Sequence, residues 1–332
     1  MYFMEKNWEE PNMKYLPIII MFLFFSSNAF AESENTIFLH HSTGGVIYND
    51  GHVENWFADY NTSNNTSYTI TERAYPTGTY PWDNYPYDYW NLWVNDACRS
   101  DEPSRHCLDQ LTADYDIVIF KNCYPVSAVL EDTGSPDITS NRKSLENYKL
   151  QYAAVRDELQ QYPDTLFIFW TGAPLRDTST NPAQAARARQ FANWVKNDML
   201  AGGSYQNIRV FDYFDLTADS NNVLRAEYMT NISGDSHPNT LAAENVGPVF
   251  GQFIINSAQS FFDNVSNSIC GNSIVEESEE CDEGTDNGTP CIPVQDGTCT
   301  YCSSSCVLIN VNALKNFSFL QYILLLTKDK SK

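Results

Sequence analysis

The chain is organised around the stretch Thr36-Ile37-Phe38-Leu39-His40-His41-Ser42-Thr43-Gly44-Gly45. Its first four residues are β-branched, aliphatic or aromatic and lack helical spacing, which predicts a short buried strand. The two glycines shortly after Ser42 allow a sharp turn and a close approach of the backbone to a ligand. A serine at the carboxyl end of a first buried strand stands where open α/β sheets bind their ligands. The alternative interpretation is an ordinary strand-to-loop turn.

Strand and helix patterns alternate along the body of the chain. Runs rich in apolar and aromatic residues predict strands at residues 117–120, 165–170 and 208–212. Apolar positions three and four residues apart predict helices at 141–161, 182–200 and 240–262. Residues 51–93 follow neither pattern and are interpreted as irregular. The alternation predicts a three-layer α/β domain over about residues 35–263, with a parallel sheet covered on both faces.

Charge limits the class of partner. The 332 residues carry a formal net charge of −22, and 42% of them are hydrophobic. This acidity argues against nucleic acid and anionic membrane surfaces as partners, while the apolar content suffices for a sizeable core. A small molecule or a glycan is the expected ligand.

Residues 1–31 predict a secretory signal peptide. Lys14 precedes an apolar run at 18–25, and Ala29 and Ala31 occupy the −3 and −1 positions of a cleavage site. The apolar run is shorter than the roughly 20 residues that span a membrane. Because residues 1–12 are polar and acidic, we expect translation to start at Met13. Nine cysteines agree with an oxidising destination, so the expected location is secreted or at the cell surface.

The candidate catalytic residues are Ser42, Asp235 and His237. Of the five histidines, His41 adjoins Ser42, and neighbours on an extended strand point to opposite faces, so it is a poor base for that serine. His237 lies in a loop before the last predicted helix, two residues after Asp235. A nearby acid fixes the tautomer of a histidine base and stabilises the imidazolium. The set predicts acyl transfer with Ser42 as nucleophile, although His237 alone is equally typical of a helix start.

The order Ser…Asp-x-His over about residues 35–262 resembles the SGNH (GDSL-type) hydrolase superfamily. The resemblance implies a flavodoxin-like three-layer sheet and a serine esterase. No H-E-x-x-H or comparable metal motif occurs in the body of the chain, so we expect no cofactor and no metal. It also implies an oxyanion hole formed by Ser42, Gly78 and Asn122. Three departures indicate a divergent branch: His41-Ser42-Thr43 replaces Gly-Asp-Ser, Lys121-Asn122-Cys123-Tyr124 replaces the Gly-x-Asn-Asp block, and the acid is two rather than three residues before His237.

Two alternatives to this mechanism stay open. Cys123 also follows a predicted strand and would be the nucleophile if its thiol were activated, but an exported free thiol oxidises readily.

The aromatic stretch 75–93 either forms the base of a sugar or acyl site or covers the core with its own rings. The first hypothesis is hydrolysis of an ester, with the acyl group on a carbohydrate. The second is a non-catalytic glycan-binding or surface protein on the same fold.

The remaining cysteines organise a local loop and a separate terminal module. Cys98 and Cys107 bracket a short polar loop and are predicted to pair. Residues 266–306 resemble a cysteine-rich CGNG…ECDDG repeat of secreted bacterial proteins, separate from the hydrolase domain at 32–265. The six cysteines there allow fifteen pairings, and disulfides are favoured over zinc at Cys299-x-x-Cys302. The acidic cluster of the module is either a Ca²⁺ site or a solvated face. Residues 307–332 form a tail of unknown role.

Overall fold

The main sheet of the protein has five parallel strands. The computed structural model describes residues 33–81, 83–267, 271, 273, 275, 279–291, 297–303 and 306–312. The strands are β1 Asn35–His40, β2 Thr69–Ala74, β3 Ile117–Phe120, β4 Leu166–Trp170 and β5 Ile208–Phe211. Their order is β2-β1-β3-β4-β5, with parallel pairing throughout. This is the flavodoxin-like doubly wound order, which confirms the predicted fold class. The predicted signal peptide and residues 313–332 lie outside the described residues.

Helices cover both faces of the sheet. The described helices are α1 Ser42–Asp50, α2 Val53–Asn64, α3 Pro86–Trp93, α4 Leu108–Asp114, α5 Leu145–Leu159, α6 Pro182–Asn197, α7 Tyr213–Thr217 and α8 Thr240–Asn267. Successive strand residues point to opposite faces, so Leu39 and Phe120 meet α3 to α6, whereas Phe38 and Ile119 meet α1, α2 and α8. Two apolar cores therefore enclose one central sheet.

The interpretation of residues 51–93 as irregular was wrong. They contain α2, β2 and α3. β2 is an edge strand in which only Ile70 is fully buried, so it lacks the continuous apolar run of a central strand. α3 begins with Pro86 at its first turn, and the Asp88 carboxylate accepts a hydrogen bond from the backbone N–H of Tyr85 at 3.0 Å. α2 and β2 are mostly polar and show no apolar periodicity, whereas α3 is too short and too evenly aromatic for a helical period to be recognised.

The rings of the aromatic stretch are mostly buried. Tyr75 and Tyr89 are 0% exposed, and Tyr80, Trp90 and Trp93 also belong to the core beneath α3. Trp93 donates from Nε1 to the hydroxyl oxygen of Tyr75 at 2.7 Å. Of the two interpretations of this stretch, the structure supports the one in which the rings cover the core.

Close backbone approaches bring α1 against β1 and α8. The expected turn after β1 is instead helical, because Ser42 is the first residue of α1. A Cβ at Gly44 would lie 2.4 Å from the Cβ of His40, so only glycine fits there. A Cβ at Gly247 of α8 would lie 2.4 Å from the carbonyl oxygen of Gly51, which ends α1. Glycines therefore set the distance between the helix that begins at Ser42 and the helix that follows His237.

Disulfides cross-link the short loop between Cys98 and Cys107 and the terminal module. The predicted Cys98–Cys107 pair is confirmed. In the module, β6 Thr298–Cys302 pairs antiparallel with β7 Leu308–Asn312. Cys281 bonds Cys302 and Cys291 bonds Cys299, so both cysteines of the C-x-x-C motif are in disulfides, as predicted. The boundaries at 265 and 306 and the repeat resemblance stay predictions. None of the described helices is long and apolar enough to cross a membrane.

Candidate active site

The site lies where β1 and β3 end side by side. In this strand order the connections diverge between β1 and β3, and the crevice that opens there is the usual ligand site of doubly wound sheets. Ser42 follows β1 after one residue and is exposed, at the N-terminus of α1. Asn122 and Cys123 follow β3. Backbone N–H groups of a first helical turn lack intrahelical partners, so Ser42 stands beside donors suited to a developing negative charge.

Ser42 contacts the one free cysteine among the described residues. Its Oγ lies 3.6 Å from the Sγ of Cys123, which is only 6% exposed. The backbone N–H of Cys123 donates to the carbonyl oxygen of Asn84 at 2.9 Å. Asn84 is buried and donates from Nδ2 to the carbonyl oxygen of Tyr75 at 2.9 Å. Asn84 therefore fixes the loop after β3, and no pattern in the sequence indicates this role.

Asp235 and His237 form a hydrogen-bonded pair. Asp235 Oδ1 lies 2.5 Å from His237 Nδ1 and also accepts the His237 backbone N–H at 3.1 Å. The other oxygen, Oδ2, accepts from the hydroxyl of Thr230 at 2.8 Å. Burial acts to raise the pKa of Asp235, but the hydrogen bonds from His237 and Thr230 outweigh it, so the pKa lies below its ordinary value. An ionised Asp235 keeps the proton of neutral His237 on Nδ1 and leaves Nε2 as the acceptor.

The loop after β3 joins this pair to Ser42. Cys123 contacts Ser42, and the ring of the next residue, Tyr124, meets the ring of His237 edge-on at 4.9 Å and 85°. His237 Nε2 is shielded from solvent and has no hydrogen-bond partner in the described part of the chain. Ser42 and His237 therefore contact the side chains of two consecutive residues, Cys123 and Tyr124, and have no hydrogen bond between them. Tyr124 was visible in the same strand-end motif, but no sequence signal assigned it to His237.

Asn122 is anchored in the core on the α5 side. It is 1% exposed, and its Nδ2 lies 2.6 Å from the hydroxyl of Tyr152 in α5. Its Oδ1 has no partner among the described atoms. Since Ser42 and α1 lie on the opposite face of the sheet, this arrangement does not join Asn122 to Ser42.

Gly78 and His41 occupy a turn beside the site. Gly78 has a φ of +72°, and a Cβ there would meet Ser104 Oγ at 2.8 Å and Glu102 Oε1 at 3.0 Å. Its place is thus a left-handed turn against the 102–104 segment. His41 donates from Nε2 to the carbonyl oxygen of Pro76 at 2.6 Å, and burial lowers its pKa. His41 is therefore a neutral hydrogen-bond donor to backbone, which agrees with its expected unsuitability as a base.

A buried positive charge lies close to the site. Lys121 is 0% exposed, and its Nζ has no hydrogen-bond partner in the described ranges. Burial lowers the pKa of Lys121 to about 8. Burial, together with the charge of Lys121, lowers the pKa of His40 to about 3, so His40 is neutral. Side chains two residues apart on extended backbone share a side, which places Lys121 on the same side of the strand end as Cys123.

A polar cleft adjoins the Asp235–His237 pair. It has a volume of about 490 Å³. Its lining residues come from α1 and from the segment that precedes and begins α8: Val46, Asp50, Met229, Thr230, Asn231, Asp235, His237, Pro238, Asn239 and Thr240. Hydroxyl, amide and carboxylate groups outnumber apolar side chains here, so the cleft suits a hydrogen-bonding ligand better than a long acyl chain.

One group of side chains among the described residues has the proximity that a metal site needs. One cluster, formed by Glu279, Asp282 and Cys306 of the terminal module, brings three potential ligand atoms within 4.8 Å. Cys306 is in a disulfide and has no thiolate to offer. Asp282 already accepts backbone N–H groups from Gly271, Ser273 and Gly284. Calcium binding by the module stays a prediction.

The chain matches no protein-family model and no curated protein. Its fold is similar to that of a GDSL-like lipase from Bacteroides thetaiotaomicron, with a TM-score of 0.39 and 11% identity over 68% of this chain and 89% of that chain. A structure described as an acylhydrolase from Bacteroides fragilis has a TM-score of 0.40 and 16% identity over 68% and 88% of the two chains. A carbohydrate esterase has a TM-score of 0.32 and 10% identity over 67% and 68%. Likenesses of this strength say nothing about activity, so the function has to be inferred from the site itself.

Proposed function

We propose that this protein is a serine hydrolase that cleaves an ester whose acyl group is carried by a carbohydrate. One observation carries the proposal. The side chains of two consecutive residues, Cys123 and Tyr124, contact Ser42 and His237 respectively, while His237 is held by Asp235 and its Nε2 has no hydrogen-bond partner among the described residues. A nucleophile, a base and an orienting acid are the parts of an acyl-transfer site.

In the proposed mechanism, Ser42 Oγ attacks the ester carbonyl carbon and His237 Nε2 takes the hydroxyl proton. Asp235 stabilises the imidazolium through the bond to Nδ1. The tetrahedral intermediate then expels the alcohol, which receives the proton from His237. Water attacks the acyl-enzyme by the same route and frees Ser42 with release of the acid.

The first turn of α1 supplies oxyanion stabilisation in this proposal. Backbone N–H groups near Ser42 are fixed donors, and the helix N-terminus adds a favourable dipole. Asn122 was expected to contribute a donor as well, but its amide is bound to Tyr152 on the α5 side of the sheet, so the proposal relies on the backbone of α1. Gly78 has no side chain, so its backbone N–H is the only donor that it could offer to the oxyanion.

In the proposed mechanism, rotation of the Ser42 side chain directs its Oγ toward His237. Ser42 is exposed, and a change of χ1 between staggered rotamers moves its Oγ away from Cys123. Catalytic hydrogen bonds are often long in unliganded enzymes and shorten in the substrate complex. Bound ester in the crevice would favour the rotamer directed to His237.

The polar cleft supports the substrate class. Its hydroxyl and amide side chains can form hydrogen bonds with the hydroxyl groups of a sugar. The rings of residues 75–93 do not support sugar binding in the same way, because most of them are buried in the core. The net charge of −22 disfavours anionic carriers. The disulfides support an oxidising destination, and we extend the proposal to secretion, with cell-surface association through the terminal module.

Labelling with a fluorophosphonate probe tests the mechanism. We expect the probe on the Ser42 peptide of folded protein, with loss of label in Ser42→Ala and strong reduction in His237→Ala. Hydrolysis of acetylated oligosaccharides, measured beside p-nitrophenyl acetate and a long-chain ester, then tests the substrate class. Folded protein that takes no label would overturn the serine mechanism and favour a glycan-binding protein without activity.

A further inference from the structure

We infer that Arg176 is the positioning residue for the Asp235–His237 pair: its side chain and backbone hold residues 229–236 in the shape that presents the catalytic acid and base. The inference rests on the proposed function. It concerns a residue outside the cleft, in the connection between β4 and α6.

The guanidinium of Arg176 donates to two carbonyl oxygens of the 229–236 segment. Its Nη1 binds the carbonyl oxygen of Ile232 and lies 3.2 Å from that of Asp235. Its Nη2 contacts the sulfur of Met229 at 3.6 Å. The planar fork of arginine has five N–H donors in fixed directions, so one side chain can fix three points of a loop.

The backbone near Arg176 adds two further ties. The N–H of Arg176 donates to the Oγ of Ser236 at 3.1 Å, and Ser236 is buried between the catalytic acid and base. Three residues later, Ser179 donates from Oγ to the carbonyl oxygen of Gly234 at 2.9 Å. Gly234 has a φ of +78°, which makes the turn directly before Asp235.

The other end of the segment has its own anchor. Asn239 donates from Nδ2 to the carbonyl oxygens of Glu227 and Met229, and from its backbone to that of Tyr228. These bonds fix where the segment starts and where α8 begins. Arg176 and Ser179 tie the tip at 232–236 to the connection between β4 and α6, while the Thr230 hydroxyl and the His237 backbone N–H bind the Asp235 carboxylate itself. Without Arg176, the backbone that carries Asp235 would lose its bonds to that connection, and the carboxylate would be less firmly placed beside His237.

The test compares Arg176→Met and Arg176→Lys with a matched control, Arg187→Met. Arg187 is also half-buried and donates from Nε to the carbonyl oxygen of Val129 at 2.8 Å, away from the 229–236 segment. For Arg176→Met we expect kcat on p-nitrophenyl acetate to fall about 10²-fold with KM nearly unchanged, because misplacement of a catalytic group by about 1 Å costs this much. Arg176→Lys should recover part of the loss, and Arg187→Met should keep wild-type kcat.

Hydrogen exchange supplies a readout that does not depend on activity. We expect peptides covering 229–237 to exchange at least tenfold faster in Arg176→Met, with α5 and β4 unchanged and with no such change in Arg187→Met. Unchanged exchange at 229–237, or equal losses of kcat in Arg176→Met and Arg187→Met, would overturn the inference. Wild-type protein without any hydrolysis or label would overturn the proposed function, and exchange would still decide whether Arg176 orders the segment.

Discussion

Ser42 Oγ and Cys123 Sγ, 81 residues apart in the chain, lie 3.6 Å from each other at the end of the sheet. A hydroxyl and a thiol, both possible nucleophiles, thus share one crevice. They differ in access, since Ser42 is exposed and Cys123 is 6% exposed. The ring of Tyr124, the residue after Cys123, contacts the ring of His237, which is the proposed base. The hydroxyl of Ser42 is therefore the more accessible of the two groups, and it is the nucleophile that we propose.

Replacement of Cys123 tests the assignment of the nucleophile. In Cys123→Ala we expect the fluorophosphonate to label Ser42 at a rate of the same order as in wild type, because the thiol only packs against the serine. The labelled peptide is identified by mass spectrometry, with Ser42→Ala as the matched variant. Label that vanishes in Cys123→Ala but persists in Ser42→Ala would make Cys123 the nucleophile.

Asp235→Asn tests the orienting acid. We expect the labelling rate of Ser42 to fall on the order of 10²-fold or more, since the amide no longer stabilises the imidazolium. Thr230→Val, which removes one hydrogen bond to the carboxylate, should have a smaller effect in the same direction. An Asp235→Asn protein with a wild-type rate would remove Asp235 from the mechanism.

The same variant makes a pH-dependent prediction. The pKa of Asp235 in the folded protein lies below its value in the unfolded chain. The stabilising hydrogen bonds of the ionised carboxylate are therefore fully present above the unfolded pKa, and they are lost as the pH falls through the lower, folded pKa. Asp235→Asn should therefore still lower the labelling rate of Ser42 at pH 5, because the wild-type carboxylate is ionised there. Equal rates of wild type and Asp235→Asn at pH 5, together with a difference at pH 8, would contradict the ionised state assigned to Asp235.

Lys121→Met should stabilise the fold near neutral pH. Burial lowers the pKa of Lys121 from 10.5 to about 8, which corresponds to a cost of roughly 3 kcal/mol for keeping the buried group charged. The free energy of unfolding depends on pH here because Lys121 keeps its proton up to about pH 10.5 in the unfolded chain but only up to about pH 8 in the folded protein. The cost is complete below pH 8 and shrinks as pH rises toward 10.5. Urea unfolding of both proteins at pH 7 and pH 10 measures the free energy difference, and a gain that does not shrink at pH 10 would contradict this origin.

Gly247→Ala should lower the stability of the protein and displace α1, although Gly247 is not a site residue. Its Cβ would lie 2.4 Å from the carbonyl oxygen of Gly51, a backbone atom that cannot swing aside. We expect a loss of about 1–3 kcal/mol in unfolding free energy and slower labelling of Ser42, because α1 is displaced from α8. Glu244→Ala, at an exposed position of α8, is the control. Equal stability of the two variants would show that the helices tolerate the added methyl group.

Periodic patterns predicted much of the fold from the sequence. The buried runs of β1, β3 and β4 are short and continuous, and the apolar spacings of α5, α6 and α8 follow the helical period, so each could be recognised locally. β2 and α2 could not, since an edge strand and a mostly polar helix show no continuous apolar run. Their stability comes from neighbours that are distant in sequence.

The sequence by itself determined the Asp235–His237 pair and the position of Ser42 after the first strand, because both depend on residues that are close along the chain. Tertiary structure alone decided that Ser42 meets Cys123, that Tyr124 packs on His237 and that Arg176 reaches across 59 residues to Asp235. Tertiary structure also decided that most aromatic rings of residues 75–93 are buried in the core. Such contacts arise from the packing of separate elements, and local periodicity carries no information about which loops that packing brings together.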